Sequence, residues 1–136
     1  MLLFLVIGVY DMGAPKIVNV CSILGKTATV ALGSTSQTTL LSNAASSDDV
    51  LKVNMIQVAN VDGTNACDIT IDVQSAASGG GTAYSLVATV SVPADASLIV
   101  LDKSTAIYLE ENTSITATAG TASDLEVVIS YEQITD

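Results

Sequence analysis

The alternation of apolar and polar residues along the chain predicts β-structure almost throughout. Over residues 67–73, CDITIDV, apolar side chains alternate strictly with polar ones, and a period of two places the two sets on opposite faces of a strand. The preceding stretch, residues 50–61, mixes β-branched and long apolar residues and is also typical of a strand. Asp62-Gly63 lies between them, so the pattern predicts a β-hairpin around which the rest of the chain is organised.

Further strands are predicted from short apolar runs between turn-forming residues. They cover residues 17–23, 27–32, 37–41, 83–92, 96–101, 106–109, 114–118 and 124–134. Pro93 cannot donate a ladder hydrogen bond, so residues 83–92 and 96–101 are predicted to form a second hairpin around it. About nine or ten short strands, with no convincing helix, predict an all-β fold: an antiparallel β-sandwich that is jelly-roll-like.

The N-terminal segment departs from this pattern. Residues 1–10, MLLFLVIGVY, are too few to span a bilayer as a helix, which takes about 20 residues, and no basic region precedes them as in a secretory signal. Three interpretations stay open: a buried or partner-inserted strand, a hydrophobic arm, or residues upstream of a translation start at Met12.

We favour an extended apolar N-terminal arm (residues 1–10) that packs on a neighbouring chain, because an exposed segment this apolar would otherwise promote aggregation. The side chains expected to make these contacts are Leu2, Leu3, Phe4, Leu5, Val6, Ile7, Val9 and Tyr10. The expected organisation is therefore an arm and linker over residues 1–16, followed by a β-sandwich domain over residues 17–136.

The negative net charge of the chain argues against binding to nucleic acids and to anionic membranes. The net charge is −10, and four lysines are the only cationic side chains. Nucleic acids and anionic membrane surfaces are bound by clustered Lys and Arg, so neither is an expected partner. Acidic side chains on the surface keep an abundant protein soluble through mutual repulsion, which is the simplest explanation of the charge.

The sequence predicts neither a catalytic site nor a metal-binding site. There is no His, the lysines are scattered, and the adjacent Glu110 and Glu111 point away from each other, so no nucleophile–base or carboxylate pair is expected. The loop acids lack EF-hand spacing, and two cysteines are too few for a zinc site. We therefore expect no enzyme activity, no cofactor and no metal.

Smaller features have structural interpretations. Cys21 and Cys67 are expected to be buried free thiols, although a bridge between them stays open. The glycine-rich residues 75–82 precede a strand, not a helix, so they predict a flexible surface loop and not a phosphate site. Three tyrosines are expected to pack within or between sheets with the hydroxyl at a rim; they are Tyr84, Tyr108 and Tyr131.

From Val50 to the C-terminus the order of sequence blocks resembles a known family. The blocks are IQVANVDGTN, YSLVATVSVPADASLIVLDK, AIYLEENTSITATAG and SDLEVVISYEQI. They are similar to small all-β virion proteins of tailed bacteriophages, of the type common in marine and cyanobacterial phages. The resemblance implies a structural role in the particle and a location in the virion. Implied partners are the major capsid protein or other virion proteins, and copies of the chain itself; a trimer would suit a capsid three-fold axis.

The function expected on these grounds is that of a capsid decoration or cement protein, which binds and stabilises the outer shell as an oligomer without catalysing a reaction. Two alternatives stay open. The first is a tail, head–tail connector or fibre component of the same particle. The second is a module that recognises a cell-surface glycan through its loops.

Overall fold

The computed structural model describes residues 17–136, and the predicted arm and linker lie outside the described residues. Within residues 17–136 the chain forms nine strands and three short 3₁₀ segments, Ile17–Asn19, Ala77–Gly79 and Lys103–Thr105. In chain order the strands are β1 (Ser22–Ala31), β2 (Thr38–Asn43), β3 (Asp49–Asn60), β4 (Cys67–Gln74), β5 (Ala83–Val92), β6 (Ser97–Leu101), β7 (Ile107–Leu109), β8 (Thr113–Ala119) and β9 (Leu125–Thr135).

The strands form two sheets. The A sheet has the order β1-β9-β3-β6, with β7 also pairing with β3, and the B sheet has the order β2-β8-β4-β5. Every pairing is antiparallel. The predicted all-β class with antiparallel sheets is confirmed.

Both sheets contribute their apolar faces to one hydrophobic core. In β9, Leu125, Val127 and Ile129 are buried, whereas the intervening Glu126 is exposed, as the period of two predicts. From the B sheet, Ile71 and Ile115 lie in the same core cluster. Burial of these β-branched and leucine side chains is the main favourable contribution to folding, at roughly 1.5–3 kcal/mol for each one fully buried.

Both predicted hairpins are wrong, because each pair of strands is divided between the sheets. The Asp62-Gly63 turn leads from β3 in the A sheet to β4 in the B sheet, and the Pro93 turn leads from β5 back to β6. The two crossings lie side by side, since the Asp95 amide donates to the Asp62 carbonyl over 3.2 Å. Among the described glycines, Gly63 is not one with positive φ, the geometry that a two-residue hairpin turn requires.

The direct hairpin between consecutive strands is the one between β4 and β5, closed by the glycine-rich residues 75–82. This loop lies at the surface, as predicted, and it is hydrogen-bonded to neighbouring strands. Gln37 Nε2 donates to the Gly79 carbonyl over 2.8 Å, and the Gly79 amide donates to Ser114 Oγ over 2.9 Å. Gly79 and Gly81 adopt φ of +77° and +79°, so the loop folds back onto β2 and β8.

The first two predicted strands are also corrected. Residues 17–19 form a 3₁₀ turn, and β1 continues without interruption through Gly25, which is paired with Glu132. A glycine interrupts a strand only where it adopts a backbone conformation that other residues avoid, such as positive φ. Gly25 adopts no such conformation, because it is part of the long ladder between β1 and β9.

Candidate interaction face

The outer face of the A sheet carries exposed apolar side chains. The register places Ile99 of β6 and Val128 of β9 on either side of Gln57 of β3, in a row that faces away from the core. In a second outward row, Tyr108 of β7 lies opposite Lys52. Ile99 and Tyr108 are each 52% exposed. Large apolar side chains placed this way on a regular sheet offer a surface for a partner.

A groove interrupts this face at a β-bulge. The register of β3 against β9 shifts between Val53 and Met55, which leaves Asn54 as the extra residue. The groove has a volume of about 560 Å³ and is lined by Asn54, Met55, Ile99, Asp102, Lys103 and Ser130. Bulges bend a strand and redirect its side chains, so the groove follows from the bulge.

Asn54 is also polar and incompletely bonded. Its Oδ1 atom is buried and has no hydrogen-bond partner among the described residues. A buried acceptor without a donor costs about 1–3 kcal/mol. Asn54 thus brings an unsatisfied acceptor to the wall of the groove, covered from solvent in this conformation.

The described lysines all belong to the A sheet or to its connections. Lys26, Lys52 and Lys103 lie in β1, β3 and the 3₁₀ turn after β6, and Lys52 pairs with Glu132 over 3.7 Å. Carboxylates lie on both sheets: β9 of the A sheet presents Glu126 and Glu132, and β4 of the B sheet presents Asp68 and Asp72 with no described lysine near them in the register. The A sheet therefore differs in having cations beside its carboxylates.

Asp102, at the edge of the groove, is bound by its own turn. Its carboxylate accepts hydrogen bonds from the Ser104 hydroxyl, the Ser104 amide and the Thr105 amide, and so caps the 3₁₀ segment. The Ser104 hydroxyl contributes most to holding the pKa of Asp102 below its usual value. The carboxylate is therefore anionic at neutral pH, and its Oδ1 atom accepts a fourth hydrogen bond, from the Thr105 hydroxyl over 3.4 Å.

The predicted contact residues of the arm, at positions 2–10, lie outside the described residues. Other predictions have definite outcomes. Both cysteines are free, and Cys67 is buried as expected, but Cys21 is exposed. Tyr131 packs against the core, whereas Tyr84 is 65% exposed and Tyr108 is exposed as well, so packing was wrongly predicted for these two.

The groove itself was not predicted from the sequence. Ile99 lies in the run SLIVL, which is apolar without alternation, so no pattern shows which side chain faces outward. No glycine marks the bulge at Asn54 in the sequence. The one unusual feature there is a polar Asn within the largely apolar run VLKVNMI.

Within residues 17–136 no group of three or more His, Cys, Asp or Glu side chains is arranged to hold a metal ion. No helix in this part of the chain is long and apolar enough to cross a membrane. Compared with protein-family models, curated proteins and solved structures, the chain matches none of them.

Proposed function

We propose that this chain is a non-enzymatic structural protein of a tailed-bacteriophage virion, and that it decorates the capsid by binding the outer shell as an oligomer. The observation that carries the proposal is that large apolar side chains are exposed on the outer face of the A sheet. Ile99 and Tyr108 are half exposed there, next to a groove that contains Met55. A regular face of this kind is suited to binding another protein.

The strand orders support a jelly-roll sandwich as the architecture. An eight-stranded jelly roll pairs the first strand with the last and the second with the last but one, in two packed sheets. The orders β1-β9-β3-β6 and β2-β8-β4-β5 follow this scheme when β7 is taken as a short addition beside β3. Jelly rolls serve in viral capsids but also in lectins, so the fold alone does not select the function.

The sequence supplies the remaining support. The blocks from Val50 onward resemble small all-β phage virion proteins, and the apolar arm, residues 1–10, provides surface to bury on a neighbouring subunit. Closed rings are the usual result when identical subunits bind one another, and a trimer matches the symmetry of a capsid three-fold axis. The partners proposed are the major capsid protein and further copies of this chain.

Counting this subunit in purified particles tests the proposal. Quantitative mass spectrometry gives its ratio to the major capsid protein, and electron cryomicroscopy of the same particles locates it. A stoichiometric ratio with density on the outer shell is expected. A copy number equal to the rotational symmetry of the tail would replace decoration by a tail or connector role, and absence from the particle would overturn the proposal.

A further inference from the structure

We propose that the groove on the A sheet is the docking site for the arm of a second copy of this chain. The inference deepens the proposed function, because it rests on the oligomer and names the contact that would hold it together. The groove is defined by Asn54, Met55, Ile99, Asp102, Lys103 and Ser130. The occupant is the apolar segment of residues 2–10, LLFLVIGVY.

The apolar lining of the groove suits this occupant. The groove is a wide depression open to solvent, with a volume of about 560 Å³, so it would hold a few side chains of the segment and not the whole of it. Met55 and Ile99 supply apolar contact, and Ile99 is 52% exposed without an occupant. Leucine, phenylalanine and isoleucine side chains from the arm would bury this surface and their own.

The polar groups of the groove point to a peptide and not to a purely apolar ligand. Asn54 Oδ1 is buried without a partner among the described residues, and if the Asn54 side chain turns towards the groove, the free backbone N–H groups of an extended segment can donate to it. Lys103 forms no salt bridge within residues 17–136. Asp11 directly follows the arm in sequence, so the occupant brings a carboxylate towards the described lysine in the groove.

The linker gives the arm enough length to leave its own domain. Residues 11–16 connect the arm to the 3₁₀ turn at Ile17–Asn19. Extended chain spans at most about 3.3–3.6 Å for each residue, so six residues can reach at most about 20 Å. A reach of this size would allow the arm to pass to a neighbouring copy, and head-to-tail contacts of this kind close into a ring where the rotation between subunits permits it.

The test is a double-mutant cycle in the full-length protein with Leu5→Asp in the arm and Ile99→Asp in the groove. Each substitution is expected to raise the dissociation constant of the oligomer about tenfold or more, measured by analytical ultracentrifugation. The double variant should lose little beyond either single variant, because both remove the same contact. The control is Tyr84→Asp: Tyr84 is a large side chain that is 65% exposed, but it belongs to β5 of the B sheet and does not line the groove, so the oligomer of this variant should be unchanged.

A second measurement needs no substitution in the groove, so it remains valid even if Ile99→Asp fails to fold. Met55 is the one methionine among the described residues and lines the groove, so its ¹³C-labelled methyl group reports occupancy by NMR. The Met55 resonance should move on dilution of the wild type, and Leu5→Asp should hold it at its diluted position. An unmoved Met55 resonance, additive effects in the cycle, or an equal effect of Tyr84→Asp would overturn the inference.

Particle binding and the Met55 resonance together separate a wrong docking site from a wrong function. If Leu5→Asp abolishes binding to particles but leaves Met55 unmoved, the arm docks elsewhere, which overturns the groove and leaves the decoration role standing. If Met55 responds to Leu5→Asp at every concentration in a chain that stays monomeric, the arm lies in its own groove, and exchange between copies is overturned.

Discussion

Two buried asparagines fix the loops that join the sheets. Asn60, at the end of β3, is 3% exposed; its Nδ2 donates to the carbonyls of Asn65 and Val92, each over 2.9 Å, and its Oδ1 accepts from the Asp62 amide. Asn43, at the end of β2, bridges the carbonyls of Asp49 and Leu109 in the same way. A single side chain thus satisfies backbone groups from segments that are distant in sequence.

Replacing Asn60 by Ala should therefore cost about 2–4 kcal/mol of unfolding free energy, since it leaves buried carbonyls without donors. Urea unfolding followed by circular dichroism measures the loss. Asn65→Ala is the control: Asn65 is exposed and donates its side-chain amide to Asp62 alone, so we expect a loss below about 1 kcal/mol. Equal losses in the two variants would contradict the role given to Asn60.

The lowered pKa of Asp102 predicts a specific pH dependence. The group has a lower pKa in the folded chain than its ordinary value of about 3.9, so its contribution to stability is present above that value and is lost as the pH falls through the folded pKa. Ser104→Ala removes the largest cause and should raise the pKa of Asp102 towards the ordinary value, measured by NMR titration of the carboxyl carbon. Thr113→Ala, which removes a hydroxyl bonded to the Glu110 carbonyl elsewhere, should leave that titration unchanged.

At the scale of elements, the sequence shows where most strands lie but not which sheet each joins. The predicted residues 83–92 coincide with β5, and residues 50–61 differ from β3 by one residue at each end. A period of two identifies the buried face of a strand. Strands of two packed sheets show the same alternation of apolar and polar residues, so the alternation does not tell which sheet a strand joins. The Asp62-Gly63 turn therefore gives the same signal whether it reverses the chain within one sheet or leads to the other.

The glycine-rich loop between β4 and β5 shows how an element is held by contacts that composition does not reveal. A Cβ atom at Gly79 would lie 2.8 Å from Gln37 Nε2 and 3.0 Å from Thr39 Oγ1, in a residue with φ of +77°. Gly79→Ala should destabilise the protein by about 1–3 kcal/mol through the left-handed backbone alone. Thermal unfolding measures this loss.

Gly80→Ala is the matched control for that experiment. Its Cβ would meet the Ala77 carbonyl at 3.4 Å, an ordinary contact, and its φ is −93°, so a change within about 1 kcal/mol is expected. A loop that moved freely over β2 and β8 would tolerate both substitutions equally.

At the scale of the whole molecule, the two outer faces have different properties. On the A face, the half-exposed Ile99 and Tyr108 lie opposite the polar Gln57 and Lys52, and Glu132 lies on the other side of Lys52. On the B face, β4 presents carboxylates such as Asp72, which accepts a hydrogen bond from Ser85. A subunit that bound the shell through the A face would turn the carboxylates of β4 to solvent. Like charge at high copy number then opposes contact between particles.

Residues 1–11 are expected to be needed for assembly and not for folding of the β-sheet domain. The core cluster is built from residues of both sheets, from Leu32 to Ile129, so deletion of residues 1–11 should leave the far-ultraviolet circular dichroism and the cooperative unfolding of the body intact. If the arm joins neighbours as proposed, the same deletion should weaken oligomerisation and binding to particles, because it removes apolar surface that the contact would bury. Sedimentation velocity and co-sedimentation with undecorated particles measure these two losses. A deleted chain that cannot fold would make residues 1–11 a strand of the core, and one that assembles like the full-length chain would make the arm dispensable.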